Sequence, residues 1–184
     1  GGGLAVGASQ ASAEGTTTVA SKLGDGVLVL TTGAVSVTAD VREGAVAALS
    51  RAGAGSLFAS ADAAVATARA DYRIRATLGE EVVLAGGLLD DGSAVSTLRG
   101  GDLTVRAGLD GSQQADANGQ SSAGLLAIGA VVADAGGTST LDTGVGQGSE
   151  LHMGDVRLSA EGKERILAKA SSGAGGLVAG NAAV

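Results

Sequence analysis

Leu125-Leu126-Ala127-Ile128-Gly129-Ala130-Val131-Val132-Ala133-Asp134-Ala135 is a run dominated by small and aliphatic side chains, and it has relatives elsewhere in the chain. They stand at Leu4-Ala5-Val6-Gly7-Ala8, at Leu57-Phe58-Ala59-Ser60-Ala61 and at Leu177-Val178-Ala179-Gly180. The last three members of this set follow stretches of small residues: Ala52-Gly53-Ala54-Gly55, Ser121-Ser122-Ala123-Gly124 and Gly173-Ala174-Gly175-Gly176. Self-similarity of this kind is the signature of a repeat architecture, and it has to be recognised before elements are assigned.

Working outward, a second element recurs as Val35-Ser36-Val37-Thr38-Ala39, Leu103-Thr104-Val105-Arg106-Ala107 and Val156-Arg157-Leu158-Ser159-Ala160. Apolar and polar residues alternate in it, the period of a half-buried strand. Turns at Gly33-Ala34, Gly101-Asp102 and Gly154-Asp155 precede it. From this strand to the next small-residue strand the spacing is 22, 22 and 21 residues. A third element lies between them, at Leu23-Gly24-Asp25-Gly26, Leu78-Gly79-Glu80-Glu81 and Val145-Gly146-Gln147-Gly148. Its glycines supply the positive-φ corners that a tight turn needs.

These elements frame one continuous array over residues 1–184, with repeats at 4–56, 57–124 and 125–176 and a partial repeat at 177–184. The expectation is an all-β fold, a β-solenoid (β-helix) of degenerate repeats of about 52 residues, roughly three coils of about 17 residues each. The middle repeat is longer. Its extra material around Val82 to Ala94 reads either as one more coil or as an exposed hairpin. Glu161 to Ala170 has helical propensity, but its counterparts Val41 to Ala52 and Leu109 to Ala115 carry Gly, Val, Ser and Asp, which disfavour helix. All three are expected in strand or turn.

Composition agrees with a thin core. Of 184 residues, 33 are Gly, none is Pro, and Phe58 and Tyr72 are the only aromatics. Aromatic side chains dominate ordinary cores, so Ala, Val and Leu must fill this one. Leu, Val, Ile and Phe total 43, enough for a folded chain. The lack of proline suits long hydrogen-bonded ladders, because proline cannot donate to them. Within Leu126 to Val132 both faces are apolar, as in strands buried on two sides. One expectation is Leu126, Ile128 and Ala130 toward the core, with a flat stripe of Ala127, Gly129 and Val131 outside, open to lateral packing; the alternative is a strand buried inside a double-layered coil.

The ordered set of GLLAxGA-type strand, Thr-rich segment, VGxG turn, GDV or GDL turn and VxLxA strand resembles giant bacterial surface proteins. These are the filamentous-haemagglutinin-like and leukotoxin-like adhesins with β-strand repeats. The likeness spans the whole chain on degenerate motifs. It implies export to the bacterial cell surface or beyond, a β-helical shaft, and a role in adhesion, surface structure or filament formation. It brings no catalytic residues with it.

Chemistry-bearing residues are sparse. The net charge is −7 with 12 basic against 19 acidic residues, which disfavours nucleic acid and anionic membrane as partners. No apolar run is long enough to insert in a membrane. With no cysteine, neither disulfides nor thiolate metal sites arise. The carboxylates Asp25, Glu43, Asp90, Asp91, Asp102, Asp110 and Asp155 fall along turns and read as solvated turn residues rather than as a catalytic pair. His152, the one histidine, falls in a strand position where another repeat has Leu30. No nucleophile elbow or phosphate loop is present. No catalytic, cofactor or metal residue is assigned, and the chain reads as a non-enzyme without cofactors. Calcium is the one ion the Gly-Asp turns suggest, first at Asp90 and Asp91. Thr16-Thr17-Thr18, Thr31-Thr32 and Thr138-Ser139-Thr140 raise ice binding, which needs threonines in register on every coil. The partners expected are further copies or further repeats, stacked end to end or laterally, since the pattern breaks mid-repeat and unpaired strand edges associate. A glycan- or surface-binding module is the alternative.

Overall fold

The computed structural model describes residues 3–90 and 95–184, with side chains described for 3–88 and 97–184; these residues are mostly strand and contain no helix. The chain runs in circuits. The first comprises β1 (Leu4–Leu23), β2 (Leu28–Leu30) and β3 (Val35–Ser56). The second comprises β4 (Ala59–Leu78) and β5 (Val83–Ala85), then the strands β6 (Gly87–Asp90) and β7 (Val95–Leu98), and finally β8 (Leu103–Ala123). The third is β9 (Leu126–Gly144), β10 (Glu150–His152) and β11 (Val156–Gly175), and β12 (Val178–Ala183) opens a fourth.

Each circuit adds one strand to each of three parallel sheets. The first sheet has the order β1-β4-β9-β12, the second has β3-β8-β11, and a short tip sheet has β2-β5-β10. Leu4 pairs with Ala59, Ala59 with Leu126 and Leu126 with Val178, so successive circuits take 55, 67 and 52 residues. The second sheet starts in register at Val35, Leu103 and Val156. The expected coil of about 17 residues is therefore corrected: a whole repeat makes one layer. The strands are about 20 residues long because nothing inside them, neither proline nor a turn, breaks the alternation. At about 3.3 Å per residue they span about 65 Å, while layers rise only about 4.8 Å each.

The ladder also corrects one alignment. Leu4 faces Ala59 rather than Leu57, so Leu57-Phe58 occupy the bend before the strand and lie level with Gly124-Leu125. Of the two readings of the extra residues in the middle repeat, a further coil or an exposed hairpin, the strand pairing agrees with the hairpin. These residues make the antiparallel pair β6–β7, which leaves at Gly86 and returns at Gly100. Gly86 N–H donates to Leu98 O at 2.7 Å, and Gly100 N–H donates to His152 O of the next layer at 2.7 Å. Arg99 then clips this neck to the third layer, donating to the carbonyls of Met153 and Gly154 at 2.9 and 3.0 Å.

The two large sheets face each other and enclose a core that tapers. Beside the tip, Tyr72, Ile74, Leu78, Leu84, Leu103, Val105 and Leu109 are buried together. Further along the same strands the core is Ala48, Ala64, Ala66, Ala68, Ala115 and Ala117 with Val131. Beyond it, at the return end, Gly7 faces the Gly53 backbone so closely that a Cβ on it would lie 2.5 Å from the Gly53 carbonyl oxygen. Side-chain volume thus sets the separation of the sheets: bulky at the tip, one methyl in the middle, backbone against backbone at the far end.

One irregularity serves the wide end. Between Val41 and Gly44 the first layer carries an extra residue, with Glu43 at φ 57°. The bulge puts Gly44 beside Tyr72, with Gly111 of the next layer close by, and a Cβ on either would meet the phenol ring or its hydroxyl. The single tyrosine is buried in that glycine-floored slot at 3 % exposure.

Candidate functional site

The acidic turn residues act as stitches between layers. Asp25 Oδ1 accepts from Glu80 N–H of the next layer at 2.9 Å, and Asp102 Oδ1 accepts from Asp155 N–H at 3.0 Å. On the first sheet Asp71 Oδ1 accepts from both the amide and the hydroxyl of Thr138, at 3.2 and 2.7 Å. Lys22 lies 2.9 Å from Asp25, and its hydrogen bond, followed by that of the Glu80 amide, holds the Asp25 carboxyl below the usual carboxylate range. At these three points a carboxylate one layer away, rather than a carbonyl alone, accepts from a backbone N–H of the next layer.

The remaining candidates do not converge. Glu43 sits in the bulge, Asp110 faces outward on β8, and Asp155 is exposed at its turn. Asp90 closes β6, while its side chain and the whole of Asp91 lie outside the described residues. Among the described residues no three His, Cys, Asp or Glu side chains gather closely enough for a metal ion. His152 is on exposed β10, stacked in register on Ala85 and through it on Leu30, with Glu150 at 3.7 Å. The threonines do not form a continuous file. Thr16 and Thr138 are separated by Asp71, and Thr18 and Thr140 by Arg73.

A polar seam lies where the sheets are closest. Asp62 points inward at 4 % exposure, between Gly7 and Gly129 of the adjoining strands and against Gly119 of the opposite sheet. Neither of its oxygens, nor the hydroxyls of Ser60, Ser121 and Ser172, has a hydrogen-bond partner among the described residues. Ser50 is satisfied, donating to the Ser9 carbonyl at 2.9 Å. Glycines free the volume that the Asp62 carboxylate fills, and a Cβ at Gly119 would overlap it.

The outward face of the first sheet divides into two halves. Toward the tip it is charged, with Arg69–Asp134 and Arg75–Asp142 pairs at 3.0 Å linking successive layers. Both pairs are well exposed, and such contacts are worth about 0–1 kcal/mol. Toward the return end it is aliphatic and bare. Leu4 is 77 % exposed, Val6 84 % and Ile128 49 %, and Leu126, Val132 and Val178 are also exposed. At its rim the bends present Leu57, Phe58, Leu125 and Leu177 to solvent.

This overturns the expected orientation of the small-residue strand. Ala127 and Val131 are buried at 0 and 1 %, with Gly129 buried between them, while Leu126, Ile128 and Ala130 face out. The inter-sheet gap at this end admits only small groups, so the larger side chains of a doubly apolar strand must take the other face. Alternation alone carried no sign of which face was which. The cue was Leu57-Phe58, two large apolar residues at a bend with no interior to enter.

No protein-family model matches the chain, and neither the curated proteins nor the solved structures yield a match.

Proposed function

We propose that this chain is a β-solenoid segment with a structural role, a shaft or filament-forming part of a giant extracellular or bacterial cell-surface repeat protein. The reading rests on one observation above others: parallel ladders of about 20 residues run in register from layer to layer, so each layer is a template for the next. Such an array is stabilised chiefly between neighbours and lengthens without a change of design. β1, β2 and β3 at one end of the sheet orders, and β10, β11 and β12 at the other, each have an edge without a strand partner among the described residues. Unpaired edges of this kind recruit further strands. The resemblance to filamentous-haemagglutinin-like and leukotoxin-like adhesins supplies the surface location and the adhesive context. The outer surface, built from charge pairs and aliphatics with Phe58 as its exposed aromatic, fits a mechanical part better than a sugar platform.

The purified 184-residue chain, examined by sedimentation velocity and negative-stain electron microscopy over a wide concentration range, tests this. Rods that lengthen with concentration, with a fibre-diffraction spacing of about 4.8 Å along the rod, are expected. A single-copy species up to roughly millimolar concentration would sink it. Retention of that single-copy species on immobilised glycans would favour the binding-module reading in its place.

A further inference from the structure

We infer that the aliphatic half of the first sheet's outer face is a lateral docking surface for a second copy of this chain, packed face to face about a two-fold axis. The inference deepens the structural reading above and rests on it, since it concerns how such shafts associate side by side.

Three observations identify the occupant. The first is relief. On the first three rows of this half β1 presents Leu4, Val6 and Ala8, β9 presents Leu126, Ile128 and Ala130, and β4 between them presents only Ala59, Ala61 and Ala63, with Val65 beginning the fourth row. Two aliphatic ridges therefore flank an alanine groove, with neighbouring strands about 4.8 Å apart. Place the two-fold axis along the strands, midway between β4 and β9. The β9 ridge of each copy then enters the β4 groove of the other, with Ile128 over Ala61 in the same row. A surface that is its own complement in this way is what an isologous interface requires.

The second is charge. No charged residue lies in the outward-facing rows from Leu4–Ala59–Leu126–Val178 to Gln10–Val65–Val132, Asp62 between them pointing inward, whereas the tipward half of the same face begins its ion pairs with Arg69 and Asp134. A partner for the bare half should be equally uncharged. An anionic lipid surface would call for a basic rim, and a chain of net charge −7 is a poor fit to one.

The third is size. Four strands about 4.8 Å apart and four outward rows about 6.7 Å apart give roughly 500 Å² on one copy. Two copies would bury about 1,000 Å², the level at which a specific interface begins. Each further layer would add about 130 Å² per copy, so lateral pairing strengthens with the number of layers.

The chain has no cysteine of its own, so single cysteines can carry nitroxide labels. Labels at Thr67→Cys, on the outward row just beyond the bare half, should show a short dipolar component of about 10 Å, because face-packed sheets lie about 10 Å apart. Labels at Gln114→Cys, on the outer face of the second sheet, should couple only through end-to-end stacking, at a spacing of about three layers or 15 Å, without that short component. The double variant Val6→Lys with Ile128→Lys should weaken lateral association at least about tenfold. Its circular dichroism and thermal midpoint should hold, since both side chains are already exposed. Rod length, set by the strand edges, should also hold, which separates failure here from failure of the shaft reading. Equal coupling at the two label sites, or unchanged association of the double variant, would overturn the inference. So would Thr67 labels that lack the short component while the chain co-sediments with phosphatidylcholine vesicles and the double variant does not, because the occupant would then be lipid.

Discussion

The two ends of the same pair of sheets solve the packing problem in opposite ways. Beside the tip, Tyr72, Ile74, Leu84 and Leu103 hold the sheets apart and fill the gap with apolar volume. At the return end Gly7, Gly119 and Gly129 let the backbones approach, and the gap holds Ser50, Ser60 and Asp62. A strand that crosses from one regime to the other keeps its alternation throughout, yet the meaning of its inward face changes from large to small. The wide end should therefore fail by losing volume and the narrow end by gaining it.

The largest effect is expected at the wide end. Ile74 is 1 % exposed inside the tip cluster, and Ile74→Ala should destabilise by about 3–4 kcal/mol through lost transfer energy and a residual cavity. Urea denaturation followed by circular dichroism measures it. A loss near 1 kcal/mol would mean that the sheets collapse onto the hole, and that the taper is soft rather than set by volume.

At the narrow end the smallest addition should be felt. Gly7→Val would drive a branched side chain into the Gly53 backbone, which cannot rotate away as a side chain can. Overpacking of this kind destabilises by about 1–3 kcal/mol, and the upper end is expected here. If Gly7→Val is neutral, the two sheets are not in contact at that level.

Asp62 turns the comparison round. A buried carboxylate whose oxygens find no partner among the described residues is destabilising, whereas a methyl would continue the alanine core that begins at Ala64. Asp62→Ala should raise stability at neutral pH by about 2 kcal/mol. A loss of that size would show that the carboxylate is satisfied in solution, with ordered water between the sheets as the candidate.

Tyr72 adds a test in pH. Burial, and then the nearby negative charge of Glu164, push its phenol above the ordinary value near 10. Between that value and the folded one the native state keeps a proton that the unfolded chain has lost, so stability must fall as pH rises through the window. Tyr72→Phe removes the titrating group. The difference in stability between the two proteins should shrink above pH 10, by at most about 1.4 kcal/mol per pH unit. A constant difference would place the hydroxyl in solvent and the ring outside its glycine slot.

Much of this fold could be read from the residues, and the parts that could not be read have one cause. The strand starts at Val35, Leu103 and Val156 were legible because apolar-polar alternation beside a polar solvent face is unambiguous. The strand character of Glu161 to Ala170 was legible from its non-helical counterparts, and that segment lies within β11. The size of a circuit was not, because glycine and serine within a 20-residue strand read as turns until a neighbouring ladder is seen to run through them. Nor was the orientation of Leu126 and Ile128. When both faces of a strand are apolar, sequence gives the period and only the width of the gap gives the phase. For the outer face of β9 this meant that the strand was legible and its orientation was not.

The smallest effect concerns the corner that every circuit shares. Gly26, Glu81 and Gly148 occupy equivalent places in the Leu-Gly or Val-Gly turns of successive layers, with φ of 64°, 53° and 72°. The stack enforces the conformation: Gly26 N–H donates to Glu80 O at 2.8 Å and Glu81 N–H to Gln147 O at 2.9 Å, so the middle corner is fixed from both sides. For a residue with a Cβ the left-handed region is unfavourable by about 1–2 kcal/mol, and two of the three layers avoid this with glycine. Glu81→Gly removes that strain but adds freedom to the unfolded chain, which takes back part of the gain. The net should be a stabilisation of about 0.5–1 kcal/mol, visible as a higher urea midpoint with unchanged slope. Gly148→Ala should move the other way by a similar amount. If Glu81→Gly destabilises instead, then the Glu81 side chain, which packs its Cγ over Gly148, contributes more through that contact than its backbone loses, and the middle layer differs from its neighbours at this corner by design of the side chain rather than in spite of it.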